Sequence, residues 1–304
     1  MGDSDQSRRP SPSDVLLANQ LFYKVQAGEY DKKNHVKSPA ILNYYERLFN
    51  QYIFNGRSST EIQRWHVCDV GCGTGFLEGF LQNKVESIVA LDATFPMLEL
   101  ARQKFPNRSI FWVQADAQAL PISNSMFDLV CCNATLHHVF AFEPMLARMI
   151  SLLKTGGKLF VGYEPNAIPY RIFGPLLKLA AVIVPEHRNR ERIRKTSGQE
   201  QHATLKDADI HQLSEFHIFQ NKGIHPFRLQ QFSARHGIVD SRVHFSSIYQ
   251  FALLRDSGLP IPLERLPDWL FRIPGRLSLS FSLTGTKANA AGSTRCPPDV
   301  SRTS

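Results

Sequence analysis

Residues 66–75, His-Val-Cys-Asp-Val-Gly-Cys-Gly-Thr-Gly, constrain this chain more than any other stretch of its length. An apolar run carrying Asp69 ends in glycines at alternate positions, Gly71, Gly73 and Gly75, and Phe76-Leu77-Glu78 then opens a helical pattern. Glycine at that spacing lets the backbone turn sharply and approach a ligand with no Cβ in the way. Strand, glycine-rich loop and helix in that order build a small-molecule site at the carboxyl end of a parallel strand.

The register is not that of a dinucleotide fingerprint. Gly-x-Gly-x-x-Gly begun at Gly71 would need its third glycine at Phe76, and begun at Gly73 it would need one at Glu78. No Gly-x-x-x-x-Gly-Lys-Ser/Thr string is present either. The expected ligand therefore lacks a pyrophosphate. Around the loop the chain alternates strand and helix patterns, which predicts a parallel sheet covered on both faces. Strands are expected at 87–91 ending at Asp92, at 109–114 ending near Asp116, at 127–133 and at 158–163. Helices are expected at 76–83, from Pro96 through Phe105, and along Met145, Leu146, Met149, Ile150 and Leu153. The last should stop at Lys154-Thr155-Gly156-Gly157, with glycine in a left-handed C-terminal turn. After Glu164 the alternation lapses. A helix near 227–236, an extended segment at 243–251 and a strand at 277–286 follow, the two late strands suiting an antiparallel pair at the sheet edge.

A chain of 304 residues with ordinary globular composition fits a single domain over 14–287, with an insertion at about 164–226. Residues 1–13 and the tail 288–304 have the composition of disordered segments. The five cysteines, Cys68, Cys72, Cys131, Cys132 and Cys296, include no Cys-x-x-Cys pair, so neither a disulfide framework nor a metal site is expected. Four of them lie in or beside apolar strands, where Cys acts as a small hydrophobe. The N-terminus lacks the apolar core of a signal peptide, and the longest apolar run, 173–185, is too short to span a bilayer. A cytoplasmic location is expected. The net charge of +8 speaks to association and not to chemistry.

Asp69-Val70-Gly71-Cys72-Gly73-Thr74-Gly75 matches acidic-x-Gly-x-Gly-x-Gly at every position, and here the chain resembles the class I S-adenosylmethionine-dependent methyltransferases. The resemblance implies an α/β fold: a Rossmann-like, doubly wound, mostly parallel seven-stranded sheet with an antiparallel last strand, here with a helical insertion. It implies S-adenosylmethionine as cofactor, its homocysteine part against the loop, where a side chain at Gly71 or Gly73 would clash. Asp92, ending the next strand, is placed to accept both ribose hydroxyls. Asp116, followed by Ala117, would meet the adenine amine. Asn133-Ala134-Thr135-Leu136-His137-His138 looks like the matching segment of small-molecule methyltransferases of the ubiquinone/menaquinone-biosynthesis type. No Asn/Asp-Pro-Pro-Tyr/Phe string of amino-methylating nucleic-acid enzymes is found there. Tyr30, after Ala27-Gly28-Glu29, resembles the lid that closes over the cofactor, although a surface aromatic in a helix fits equally. Cys72, Ala93 and Met97 complete the expected cofactor-binding set.

For chemistry, His137 and His138 are candidate general bases, since imidazole is poised near neutral pH. Ordinary loop contacts are the competing reading, and Tyr163 and Glu164 are further candidates on the same edge. The segment from Pro165 to about Lys206 is apolar and then basic, with five cations against two acids over 186–195. Such a segment can lid an apolar pocket, lie on an anionic membrane or pack as a hairpin. The expected acceptor is small and hydrophobic, a quinone precursor, lipid or polyketide-like compound. An RNA-modifying enzyme and an inactive methyltransferase-like subunit are the alternatives. Nucleic acid is disfavoured because aromatic residues do not interleave the basic stretch.

Overall fold

A computed structural model describes residues 9–30, 39–172, 207–247 and 275–289. In chain order they form α1 (Pro12–Tyr30), α2 (Pro39–Leu48) running into a π-turn (Phe49–Ile53), α3 (Ser59–Ile62), β1 (His66–Val70), α4 (Phe76–Leu81) and β2 (Ser87–Asp92). Next come α5 (Phe95–Lys104), β3 (Ile110–Gln114), β4 (Phe127–Asn133), a 3-10 turn (Leu136–His138), α6 (Phe142–Leu152), β5 (Leu153–Pro165) and α7 (Ala167–Ile172). The remainder comprises α8 (Asp207–Ser214), α9 (Phe216–Asn221), α10 (Pro226–Arg235), β6 (Ile238–Ser246) and β7 (Ser280–Lys287).

The strands form one seven-stranded sheet in the order β3-β2-β1-β4-β5-β7-β6. Strands β1 to β5 are parallel, and β7 runs antiparallel to both of its neighbours. Central strands buried on both faces need continuous apolar runs, which is why β1, β2 and β4 were legible. Along them the period of two sorts side chains into two cores. Val67, Leu129, Cys131 and Phe160 face α2, the π-turn and α4, while Cys68, Val70, Val130 and Cys132 face α6 and α10. The predicted apolar face of α6, Met145, Leu146, Met149 and Ile150, is buried at 0–3% exposure. Each such side chain contributes about 2 kcal/mol by its removal from water.

Three expectations need correction. Helix α6 ends at Leu152, and β5 starts at once, its first residue already in extended conformation. Gly156 (φ +76°) is therefore no helix cap: Leu153 pairs with Phe127 and Lys158 with Leu129, so the residues between bulge out. Strand β6 begins at Ile238, directly after Gly237 (φ +88°), and not at Val243. It is β6 that holds the edge, with β7 inserted between it and β5. At the N-terminus α1 already begins at Pro12, with Ser11 bonded to Asp14, so order reaches into the segment expected to lack it. Within the insertion, β5 continues to Pro165 and α7 to α9 follow, while 173–206, including most of the apolar–basic segment, lies outside the described residues. The same holds for residues 1–8 and the tail from 290.

Helix α1 packs apart from the two main cores. Val15, Ala18 and Phe22 meet Ile210, Leu213 and Phe216 in a third cluster, which roofs the carboxyl edge of the sheet. Among the described residues no helix is long and apolar enough to cross a membrane.

Candidate active site

Strand order reverses between β1 and β4, and a cleft opens there at the carboxyl ends of β1, β2 and β4 under α1. This is the crevice where open α/β sheets bind ligands. Gly71, Gly73 and Gly75 all adopt left-handed φ, at +78°, +56° and +87°. Their reasons differ. A Cβ on Gly71 would lie 2.3 Å from Thr135 Cγ2, and one on Gly75 would lie 2.7 Å from the Phe105 ring. Beside Gly73 only Met97 Cε comes near, at 3.7 Å. The clash expected at Gly71 is thus with the protein itself, and Gly73 is the glycine beside which the cleft stays open.

Asp92 is positioned by the loop it faces. Gly73 N–H donates to its Oδ2 at 2.9 Å and Thr94 N–H to its Oδ1 at 2.8 Å. Each oxygen keeps a further acceptor position. Burial raises the Asp92 pKa, against the two backbone donors that lower it. Asp69 lines the floor of the cleft at 1% exposure, and Glu78 on α4 lies behind it at 0%. Neither Asp69 Oδ1 nor either Glu78 oxygen receives an N–H or O–H from another residue. The two carboxyls are close enough to interact, so the proton state of one depends on the other. Burial pushes Asp69 from 3.8 up to about 7, and raises Glu78 well above the carboxylate range.

The other expected cofactor residues converge on this cleft. Ala93, Met97, Asp116, Ala117, Asn133, Cys72 and Tyr30 all line it. Asp116 turns the chain after β3, Oδ1 accepting from Gln118 N–H at 2.9 Å. Asn133 Oδ1 accepts the Tyr45 hydroxyl, and Gly162 is required opposite because a Cβ there would strike that same oxygen. The next residue, Ala134, holds φ +53°. Such a backbone persists where surrounding structure over-determines it.

The histidines part company. Glu164, fully buried at the end of β5, accepts Thr135 N–H and Leu136 N–H on Oε1, and His137 N–H and Nδ1 on Oε2, at 2.8–3.1 Å. Four donors suit an acceptor-only carboxylate, and they fix the 3-10 turn. His137 Nε2 faces Glu215 at 3.5 Å. Burial alone would lower the His137 pKa, but Glu164 and then Glu215 outweigh it and raise it. His137 is not among the residues lining the cleft; both of its ring nitrogens face carboxylates, Glu164 and Glu215. His138 does line it. Its Nδ1 is bonded to the Ser214 carbonyl, so Nε2 is left to accept the Tyr23 hydroxyl at 2.9 Å. Burial, then His137, pushes His138 down to about 4, and burial, then Glu215, raises Tyr23. His137, His138 and Glu215 bring potential metal-ligating atoms within 4.8 Å of one another. Both ring nitrogens of His138 are already engaged, and the group reads as a hydrogen-bond network.

Sequence reasoning missed Glu78, Thr135, Glu215 and the inner face of α1. Val15, Asn19 and Tyr23 recur at intervals of four on one helical face and line the cleft. Asn19 Nδ2 donates to the His138 carbonyl at 2.8 Å. Polar residues on an otherwise packed face were the available signal. Of the further candidates, Glu164 supports the turn, and Tyr163 sits at φ +49° with its N–H donating to Ser282 Oγ.

Comparison with known proteins agrees with this geometry. Residues 68–161 match the family model described as a methyltransferase domain. An uncharacterized methyltransferase of Mycobacterium bovis is 38% identical over 95 residues, 31% of this chain and 48% of that protein. The ubiquinone/menaquinone biosynthesis C-methyltransferase of Edwardsiella ictaluri is 32% identical over 149 residues, 47% of this chain and 57% of its own. The chain thus spans about half the length of the curated relatives it matches. Among solved structures, a Haemonchus contortus phosphoethanolamine N-methyltransferase superposes with a TM-score of 0.55 at 14% identity, covering 93% of this chain and 61% of that one. That likeness shows the fold. Residues 68–161 thus match a methyltransferase domain, and the sheet around them has the fold of that neighbour.

Proposed function

We propose that this chain transfers a methyl group from S-adenosylmethionine to a small acceptor with an apolar body, and that Tyr23 and His138 receive the acceptor's proton. The observation that carries the reading is the Tyr23 hydroxyl, 2.9 Å from His138 Nε2, on the wall of the cleft that also holds the glycine loop and Asp92. The residues fit the cofactor. Backbone is open beside Gly73, Asp92 keeps acceptor positions for ribose hydroxyls, and Asp69 offers negative charge to an ammonium group. Asp116 is the acceptor for the adenine amine, and Tyr30 closes the cleft edge. When bound, S-adenosylmethionine supplies a methyl group already activated on sulfur.

What remains for the protein is alignment and the proton. Methylation of a neutral nucleophile makes its proton acidic, so a neutral imidazole suffices to take it. The acceptor's proton passes to the Tyr23 oxygen as the Tyr23 proton moves to His138 Nε2, leaving a cation near Glu215. Glu215 Oε2 stands 4.0 Å from His138 Nδ1 and can stabilise that charge. His137, held by Glu164, positions the turn from which His138 projects. Val15, Leu16 and Val139 give the cleft apolar walls, and similarity to a quinone-biosynthesis enzyme supports a small-molecule acceptor.

Calorimetric titration with S-adenosylhomocysteine and transfer of labelled methyl to small-molecule, lipid and RNA fractions test the reading. Tyr23→Phe and His138→Asn should bind S-adenosylhomocysteine within a few-fold of wild type while kcat falls by about 10²–10³. Unchanged kcat in both, or loss of cofactor binding in both, rejects the assignment. Because His138 is held neutral down to about 4, kcat should show no limb from it between about pH 8 and about pH 5. An acid limb near the ordinary histidine value, absent in His138→Asn, would count against the pair.

A further inference from the structure

Strand β3 forms one edge of the sheet, with β2 on its inner side. Ile88 N–H donates to the Ser109 carbonyl and Ala115 N–H to the Asp92 carbonyl, so the odd-numbered residues from 109 to 115 bond to β2. The even-numbered ones, Ile110, Trp112 and Gln114, turn their N–H and C=O groups outward. Ile110 N–H is used in a turn with the Asn107 carbonyl. Among the described residues nothing meets the outward groups of Trp112 and Gln114. Such an edge is a template for another strand, and edges that stay unpaired are blunted by charge, proline or a bulge. Strand β3 has none of these. It reads Ile-Phe-Trp-Val-Gln, its register with β2 is unbroken, and Phe111 and Val113 are exposed on one face at 55% and 37%. On the other face Trp112 lines a groove of about 470 Å³ with Phe95 and Leu98 of α5.

The charges at this edge say what covers it. A net charge of +8 makes two copies of the chain repel in general, yet here the signs balance. Glu99 and Arg102 flank the groove, and Arg108 and Asp116 stand just beyond the two ends of the strand. None of the four enters an ion pair among the described residues. When two copies pair antiparallel, their outward groups meet only if outward residues oppose each other, which allows registers two residues apart. One of these centres on Trp112. It sets Phe111 against the second copy's Val113, and Arg108 against the second copy's Asp116. A shift of two residues would instead put Arg108 opposite Gln114 in one direction, or Asp116 opposite Ile110 in the other.

We propose that β3 is a two-fold interface at which a second copy of this chain pairs edge to edge about Trp112, joining two sheets into one. The Trp112 N–H of each copy donates to the Trp112 carbonyl of the other, and Gln114 N–H to the second copy's Ile110 carbonyl. The exposed Phe111 and Val113 cover each other, and Arg108 meets Asp116 at both ends of the pairing. Asp116 Oδ1 already accepts Gln118 N–H, and a carboxylate keeps further acceptor positions for a guanidinium and for an adenine amine. The inference does not rest on the methyl-transfer reading.

Sedimentation equilibrium of the full chain across the micromolar range tests it, with thermal unfolding of each variant as the check on folding. Wild type should show a monomer–dimer equilibrium. Gln114→Pro removes an outward donor and spares the ladder to β2, because that N–H faces away from it. Phe111→Lys with Val113→Lys puts charge on the edge without touching its backbone. Each should raise the dimer Kd about tenfold or more while cooperative unfolding is kept. Arg108→Asp should weaken the dimer likewise, and Arg108→Asp combined with Asp116→Arg should restore it. A wild type that stays monomeric leaves the edge to a different protein and overturns the proposal. A dimer that both Gln114→Pro and the lysine pair leave intact, or exchanged charges that fail to restore what Arg108→Asp weakened, overturns it as well.

Discussion

Single residues decide the chemistry of the glycine loop, and the three glycines should respond differently to alanine. Gly71→Ala combines a left-handed φ with a 2.3 Å approach to Thr135 Cγ2. It should lower stability by about 2–5 kcal/mol, measured by denaturant unfolding. Gly73→Ala carries only the backbone strain, about 1–2 kcal/mol. Its larger effect should fall on S-adenosylhomocysteine affinity, because the space beside it opens to the cleft. Asp69 and Glu78 give a second contrast. A buried acid whose folded pKa is raised binds its proton more tightly folded than unfolded, so stability falls as pH rises from the unfolded value toward the folded one. For Asp69 that window runs from 3.8 to about 7. Thermal unfolding across it should show a decline in wild type that is shallower in Glu78→Gln, which removes the neighbouring titrating group and its charge.

At the scale of elements, the 3-10 turn at Leu136–His138 depends on a carboxylate from another strand. Glu164 accepts the backbone N–H groups of Leu136, His137 and the preceding Thr135, so Glu164→Gln should cost about 2–3 kcal/mol, with faster amide exchange at 135–137 than elsewhere. Nothing local announces that turn. Its residues read as a loop, and the acceptor lies 27 positions on from His137. The strands were legible for the opposite reason. A strand covered on both faces must be apolar throughout, so Ser87–Leu91 and Phe127–Asn133 declared themselves by composition. Edge strand β6 is buried only at its two ends and mixes exposed and half-buried residues between them without alternation, and its start at Ile238 was missed. The Lys154-Thr155-Gly156-Gly157 string pointed to a helix cap, but strand pairing at Leu153 overrode it.

On the scale of the whole molecule, α1 and α8 share a cluster outside the two main cores, and α1 supplies one wall of the cleft. Deleting residues 1–30 should therefore leave the sheet's cooperative unfolding in place while S-adenosylhomocysteine affinity falls at least tenfold. Loss of the cooperative transition would show instead that α1 belongs to the folding unit. The sequence by itself determined the glycine loop, the acids at successive strand ends and the alternation that makes a parallel sheet. Those are local consequences of backbone freedom and burial, written in neighbouring residues. The tertiary structure alone shows that a side chain at Gly71 would meet Thr135, that Asp69 and Glu78 are buried as interacting carboxyls, and that His138 and not His137 lines the cleft. It also brought Tyr23 to His138 across 115 positions of chain. Such pairings depend on which strand ends and helices the sheet order places together, and no spacing along the chain encodes them.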